Sequence, residues 1–200
     1  MMLSGAFGVI ETAYRGNHPQ PKDDKTGMTA HVEPERIATA YHEAGHAVMG
    51  CILGRFPESV TIVPNGKSAV GETRFETDVN VPEFVRHYFD SSPAKQHFVE
   101  QRLLTALAGS IANDLKEPGR DHDIGDKRDA SRAKEIVIEL VSWEDDKDAY
   151  LRRARSKATD MLKAHWAWVE TVAGALLQRG TLSRAELLEL QPRELKQDDA

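Results

Sequence analysis

Two histidines and a glutamate stand close together in the chain, in the order His42, Glu43 and His46. This H-E-x-x-H spacing places both imidazoles on one face of an α-helix, one turn apart, so that they can bind one cation. Zinc fits best, because it accepts two imidazoles and a carboxylate while leaving a fourth position for water. Water bound there has a pKa of roughly 7, and Glu43 is placed to accept its proton. The three residues therefore predict a hydrolytic zinc site.

A catalytic zinc site also needs a third protein ligand, and residue types alone do not select it. The acidic stretch at residues 121–129 is the richest source of donor atoms. A run of Asp and Gly before a helix is nevertheless more typical of a solvated loop with a helix cap. Besides the aspartates of that stretch, the candidate third ligands are Glu72, Glu76, His87, His97, Glu100, Asp114 and His122.

The H-E-x-x-H motif lies in a segment that carries helix signals at both ends. Pro34 suits a first helical turn and Gly54 suits a helix end. Apolar residues between them recur at helical spacing, at Ile37, Tyr41, Val48 and Ile52. The pattern predicts a helix from about residue 34 to residue 53.

A small sheet is expected directly after this helix. Ser59–Val63 is rich in β-branched residues, Asn65-Gly66 suits a hairpin turn, and Ala69–Phe75 can return as a second, edge strand. The rest of the chain predicts helices, and Ser183 with Glu186 forms a capping box at the last one. The predicted helices are Glu83–Phe89, Ala94–Leu115, Lys127–Val141, Asp148–Ala164, Trp166–Gln178 and Ser183–Leu190. The fold class is therefore α+β, mainly helical, with the motif helix packed against further helices and a small sheet.

Composition limits the remaining possibilities. The chain has 200 residues and a net charge of -6, which suits one domain and does not suit a nucleic-acid-binding protein. We expect a flexible arm at residues 1–32, a domain at residues 33–192 and a flexible tail at residues 193–200. No apolar run is long enough to span a membrane. The single Cys51, expected to be buried, and the lack of a basic signal region favour a cytoplasmic location.

Several segments resemble the FtsH-type zinc peptidases, the proteolytic domain of membrane-bound ATP-dependent proteases. Thr39–Val48 resembles their active-site helix, and the similarity extends over roughly residues 37–190, strongest at this helix. Downstream, the segments that resemble family motifs are Ser59–Pro64, Ala69–Thr73, Leu107–Asn113, Arg128–Ile136 and Thr181–Leu187.

The resemblance implies a third zinc ligand and also shows departures from the family pattern. Arg128-Asp129 stands where the family has an Asn-Asp pair whose aspartate binds zinc, which makes Asp129 the implied ligand. Asp126 is the second choice, because it lies one helical turn before Asp129. The departures lie at three positions, where the family has arginine, arginine and glutamate respectively: Asn65, Ser110 and Asn113.

The leading hypothesis is a zinc endopeptidase in which His42, His46 and Asp129 bind Zn²⁺ and Glu43 acts as the general base. The sequence contains no G-x-x-x-x-G-K-[ST] motif, so the substrates are expected to be unfolded or flexible protein segments, unless a separate unfoldase supplies them. The resemblance also permits a homo-oligomeric ring.

Two alternatives remain open. The first is a non-catalytic metal-binding regulatory or interaction module, which would close the site with a fourth protein ligand such as His122. The second is a peptidase with one dedicated target, in which the N-terminal arm acts as a gate or a substrate mimic.

Overall fold

The computed structural model describes residues 33–64, 71–76, 93–119, 125–140 and 146–195. The predicted N-terminal arm, the Asn65-Gly66 turn and the helix Glu83–Phe89 lie outside these residues. The elements are α1 (Pro34–Ile52), β1 (Pro57–Thr61), β2 (Glu72–Phe75), α2 (Pro93–Lys116), α3 (Gly125–Leu140), α4 (Lys147–Ala164), α5 (Trp166–Arg179), β3 (Thr181–Ser183) and α6 (Arg184–Glu189), followed by a 3₁₀ turn at Arg193–Leu195. The predicted mainly helical α+β class is confirmed.

Helix α1 is the central element of the described domain. It begins at Pro34 and ends just before Gly54, whose φ of +73° lies in the left-handed region that glycine adopts readily. The twelve consecutive residues 40–51 are all buried. The sequence predicted an apolar stripe on one face of this helix, whereas the structure surrounds its second half on every side. The helix therefore holds any polar side chain of this segment inside the protein.

Small residues allow α1 and α2 to approach closely. An added Cβ at Gly45 would lie 2.5 Å from the carbonyl oxygen of Ala108 and 2.7 Å from the Cβ of Ala112. Because real Cβ atoms do not come this close to such atoms, a side chain at Gly45 would push the two helices apart. The close crossing brings the backbone of α2 against the motif face of α1.

The sheet has three antiparallel strands in the order β2-β1-β3. Val60 of β1 pairs with Thr73 of β2 on one side and with Leu182 of β3 on the other. β2 therefore forms one edge of the described sheet, in agreement with the predicted edge strand. β3 was missed, because the segment before Ser183 was interpreted only as the approach to the last helix.

An apolar core fills the space on the side of α1 that faces α5. Val169, Val172 and Leu176 of α5 are fully buried and belong to the same apolar cluster as Val48 of α1. At the end of this region, the amide of Ser183 donates to Glu186 Oε2 at 2.9 Å, and both halves of the predicted capping box are present. The prediction of a helix start at this point is confirmed.

Two further predictions can be compared with the described part of the chain. No helix in it combines the length and the apolar character that crossing a bilayer requires. Cys51 is a free thiol that is only 8% exposed, as expected. Burial raises the pKa of Cys51 to about 12, against a small lowering by the positive charge of Arg184. The thiol is therefore protonated and unreactive at neutral pH.

Candidate metal centre

Helix α1 brings the two histidines of the motif together, as the spacing predicts. The Nε2 atoms of His42 and His46 lie 3.1 Å apart. Their rings meet edge to face, with centroids 4.7 Å apart and planes at 82°. Both side chains are buried, so their nitrogens face each other inside the protein rather than in solvent.

Asp129 of α3 completes a group of three donor atoms. Its Oδ2 lies 2.9 Å from His42 Nε2 and 2.8 Å from His46 Nε2. Neighbouring ligands of a tetrahedral zinc ion with bonds of about 2.0–2.1 Å are about 3.3 Å apart. The three separations are slightly shorter than this, so a small outward movement of the donor atoms would fit the ion. Among the described residues, this is the one group of His, Cys, Asp and Glu side chains that converges in this way.

The other candidate ligands that the structure describes do not join this group. All five have partners elsewhere: Glu72 with Arg74, Glu76 with Arg184, His97 with Gln101, Glu100 with Lys157 and Asp114 with Arg155. His87, His122 and the side chain of Asp126 lie outside the described residues. The structure thus brings together the two motif histidines and the aspartate that the resemblance implied.

Contacts with α2 fix the orientation of both imidazole rings. His46 Nδ1 donates to the backbone carbonyl of Thr105 at 2.7 Å, because a carbonyl oxygen can only accept. His42 Nδ1 lies 3.4 Å from Asn113 Nδ2, while the buried Asn113 Oδ1 has no hydrogen-bond partner among the described residues. Exchanging the amide oxygen and nitrogen would let Oδ1 accept from His42 Nδ1. Only the exchanged amide lets His42 Nδ1 donate and leaves the lone pair of Nε2 toward Asp129, which is the arrangement of histidine ligands in metal sites.

The charge of the site follows from the environment of Asp129. Burial raises the pKa of its carboxyl, but the hydrogen-bonding contacts of His42 and His46 outweigh burial and hold the pKa below its usual range. Asp129 is therefore an ionised carboxylate beside two imidazoles that are themselves buried. Burying such a set of polar groups is costly without compensation, and a bound cation supplies it.

Gly109 of α2 provides the space in which the donor atoms meet. A Cβ at Gly109 would collide with His46 Nε2 and would lie 2.7 Å from His42 Nε2. The position therefore excludes every side chain, alanine included, if both rings are to keep their places. The absence of a side chain at Gly109 thus leaves a small space beside the three donor atoms. This space fits a small ion.

Glu43 lies next to this group and is only 4% exposed. The hydroxyl of Thr73 in β2 donates to Glu43 Oε2 at 2.7 Å. An added Cβ at Gly71 would lie 2.8 Å from Glu43 Oε1, so glycine there leaves room for the carboxylate. Glu43, His46 and Asp129 all line a cavity of about 550 Å³ that also borders β2. The site is thus buried within the helices but reachable from one side.

Sequence reasoning did not identify four residues that shape this site: Thr73, Thr105, Gly109 and Asn113. Thr73 and Gly109 stand only inside segments that resemble the family, and Asn113 is a departure from the family pattern to which the sequence assigns no role in the site. Thr105 contributes a backbone carbonyl, which every residue type carries, so no pattern could have pointed to it. Gly109 could have been suspected from its position, since an isolated glycine inside a helix often marks a close approach.

Comparisons with known proteins agree with this geometry. The sequence model of Peptidase family M41 matches residues 29–143, which is more than half of the chain. An ATP-dependent zinc metalloprotease FtsH of Haemophilus influenzae is 28% identical over 171 residues, which covers 78% of this chain and 25% of the relative. ATP-dependent zinc metalloprotease FtsH 1 of Symbiobacterium thermophilum is 30% identical over 80% of this chain and 30% of its own length.

A mitochondrial relative, ATP-dependent zinc metalloprotease FTSH 3 of Arabidopsis thaliana, is 25% identical over 78% of this chain and 22% of its own length. The chain spans less than a third of the length of each of these relatives. The family match includes α1, β1, β2, α2 and the whole of α3, which carries Asp129. By this match the chain belongs to Peptidase family M41.

Proposed function

We propose that this chain is a zinc-dependent endopeptidase that hydrolyses peptide bonds in unfolded or flexible protein segments. One observation carries the proposal: two imidazoles and a carboxylate converge within 3.1 Å of one another beside a buried glutamate, on the wall of an accessible cavity. Membership of a peptidase family and relatives named zinc metalloproteases support the same reaction.

His42, His46 and Asp129 would hold the zinc ion. When bound, zinc supplies Lewis acidity that lowers the pKa of a water to about 7 and polarises the substrate carbonyl. Thr105 and Asn113 keep the two rings turned with Nε2 toward Asp129, so that the ligand atoms are arranged before an ion arrives. Three protein ligands in the described group leave a position for water, as in catalytic zinc sites.

Glu43 would act as the general base. Its carboxylate follows His42 directly in α1 and lines the same cavity as His46 and Asp129, so it lies next to the reacting atoms. It would accept a proton from the attacking water and then donate that proton to the leaving amine. The Thr73 hydroxyl holds one carboxylate oxygen and limits its rotation.

β2 offers a surface for the substrate. It pairs with β1 on one side only within the described sheet, and its residues Thr73, Arg74 and Phe75 line the cavity. An extended peptide could add to this edge through backbone hydrogen bonds, as in other peptide-binding sheets. Only a segment without its own stable structure can adopt this form, which supports unfolded or flexible chains as substrates.

Glu43→Gln tests the proposal, because glutamine preserves the size of the side chain but cannot accept the proton. We expect the variant to bind one zinc per chain and to cleave a disordered protein such as casein at least about 100-fold more slowly. Zinc is measured by atomic absorption and cleavage by the release of new amino termini. Glu170→Gln, the same change at an exposed position of α5, serves as the control and should keep full activity. Undiminished cleavage by Glu43→Gln would contradict the proposal.

The non-catalytic alternative required a fourth protein ligand. The described residues contribute three, and His122 lies outside them, so this alternative stays a prediction. The arm, domain and tail boundaries, the cytoplasmic location, the separate unfoldase and the homo-oligomer also stay predictions.

A further inference from the structure

Arginines form much of the cavity wall beside the metal centre. Five of them line it, and they come from separate parts of the chain: Arg55 after α1, Arg74 in β2, Arg102 in α2, and Arg128 and Arg132 in α3. Their convergence is a property of the folded domain, since no stretch of the sequence is strongly basic. The metal chemistry proposed above gives these arginines no role.

The wall is more positive than the rest of the protein. Its acidic members are Glu43, Glu72, Asp129 and Glu135, so five arginines face four carboxylates and the formal charge is +1. A divalent ion at the metal centre would raise this charge to +3. The whole chain carries a charge of -6. A positively charged cavity in a negatively charged protein attracts negatively charged ligands.

Two of the five arginines, Arg102 and Arg128, have no partner in the part of the chain that the structure describes. Neither the half-buried Arg102 nor the exposed Arg128 has an ion pair or a side-chain hydrogen bond with any residue that the structure describes. Two arginines outside the cavity do have carboxylate partners, since Arg155 contacts Asp114 at 2.6 Å and Arg184 contacts Glu76 at 3.1 Å. The guanidinium groups of Arg102 and Arg128 are thus available for a ligand that supplies the negative charge.

Both arginines line the same cavity as the groups that would perform the reaction, which include Glu43 and Asp129. Arg128 directly precedes Asp129 in α3, and Arg102 lies one helical turn before Thr105, whose carbonyl holds His46. Arg74 directly follows Thr73 in β2, the strand on which a substrate would pair. A carboxylate bound by Arg102 or Arg128 would therefore belong to a residue close to the scissile bond.

We infer that this peptidase selects substrates with a carboxylate near the cleaved bond, bound by Arg102 and Arg128. The inference rests on the proposed peptidase function and adds a substrate class to it. Two sources can supply the carboxylate: an Asp or Glu side chain within the segment, or the terminal carboxylate of the chain. Both would make charge-assisted, bidentate hydrogen bonds to guanidinium groups.

A set of matched peptides tests the inference. Fluorescence-quenched peptides of one length, acetylated and amidated at their ends, carry Glu, Gln or Lys at each position beside the cleaved bond in turn. A fourth peptide carries Gln and a free terminal carboxylate. We expect kcat/KM of the wild-type protein to be about 10-fold higher for the best Glu peptide than for its Gln counterpart, and lowest for Lys. A higher rate for the fourth peptide alone would identify the terminal carboxylate as the bound group.

Arginine variants test whether Arg102 and Arg128 cause the preference for the Glu peptide. In Arg102→Gln/Arg128→Gln we expect the ratio of the Glu to the Gln peptide to fall to about 1, with one zinc still bound per chain. Arg152→Gln, at an exposed position of α4, should keep the wild-type ratio. Arg128→Glu should favour the Lys peptide, which loss of folding could not produce.

The outcomes separate the inference from the proposed function. If the wild-type protein cleaves Gln and Lys peptides as well as Glu and free-carboxylate peptides, the inference is wrong and the peptidase function stands. An unchanged preference for Glu in the double variant would likewise overturn the assignment of Arg102 and Arg128. If no peptide and no disordered protein is cleaved by the zinc-loaded wild-type chain, the proposed function itself fails.

Discussion

Helix α1 has two sides with different kinds of contact, one polar and one apolar. On the side of α2 and α3, His42 and His46 meet Asp129 through named atoms at distances between 2.8 and 3.1 Å. On the side of α5, the contacts are apolar and involve fully buried side chains such as Val172 and Leu176. The first side depends on the direction of individual nitrogens and oxygens, whereas the second depends on volume and on removal from water.

Because the two sides of α1 rely on different interactions, metal binding and stability can be changed separately. A change of one methyl group on the α2 side moves a donor atom and so affects the metal centre, even where the fold survives. A change of several methylene groups on the α5 side lowers the free energy of unfolding, but no ligand atom lies there. Stability and metal binding should therefore respond to different sets of substitutions.

Gly109→Ala should produce the largest effect on the α2 side. The new Cβ would occupy the space of His46 Nε2 and press on His42 Nε2, so two of the three converging donor atoms would have to move. We expect zinc to be lost from the purified protein and cleavage of casein to fall to the background rate. Atomic absorption and a casein digestion measure the two quantities.

Gly174→Ala is the matched control, because a Cβ at this helical position of α5 meets no atom within 4 Å. It should retain zinc and activity and, since alanine favours helix, should gain up to about 1 kcal/mol of stability. Equal zinc occupancy in the two alanine variants would contradict the tight geometry at Gly109.

Leu176→Ala should affect the α5 side. Leu176 is fully buried, so its truncation leaves a cavity and should lower the free energy of unfolding by about 2–5 kcal/mol. Zinc content and kcat of the folded fraction should be those of the wild-type protein. Urea denaturation followed by circular dichroism measures the loss, and Leu177→Ala, at a half-buried neighbour, should cost clearly less. Loss of zinc from folded Leu176→Ala would show that the two sides of α1 are coupled.

The sequence predicted the local part of the metal centre and left the distant part open. His42 and His46 are four residues apart, so helical geometry alone brings their rings together. Asp129 is 83 residues from His46, and residue types left many candidates for its place. The family resemblance selected it, and no local pattern could, because the contact depends on how α3 packs against α2.

The helices and strands likewise fall into those predicted from their own residues and those that depend on distant parts of the chain. α1 and the capping box at Ser183 carry signals within their own residues and were predicted closely. β3 has three residues and exists because β1 lies beside it, so its own sequence gave no sign of a strand. The arginines of the cavity wall were missed for a similar reason, because they converge only after the chain has folded.

Thr73→Val should give the smallest of these effects, and it examines the edge where the metal centre meets the sheet. Valine preserves the shape of threonine but removes the hydroxyl that donates to Glu43 Oε2. We expect kcat to fall about 10-fold with KM little changed, because the carboxylate loses its fixed orientation while the substrate surface of β2 remains. Thr73→Ser should restore most of kcat, which a role in packing alone would not explain. Thr171→Val, whose hydroxyl bonds only to its own helix, is the control and should leave kcat unchanged. If Thr73→Val instead raises KM with kcat intact, then Thr73 serves substrate binding rather than the orientation of Glu43.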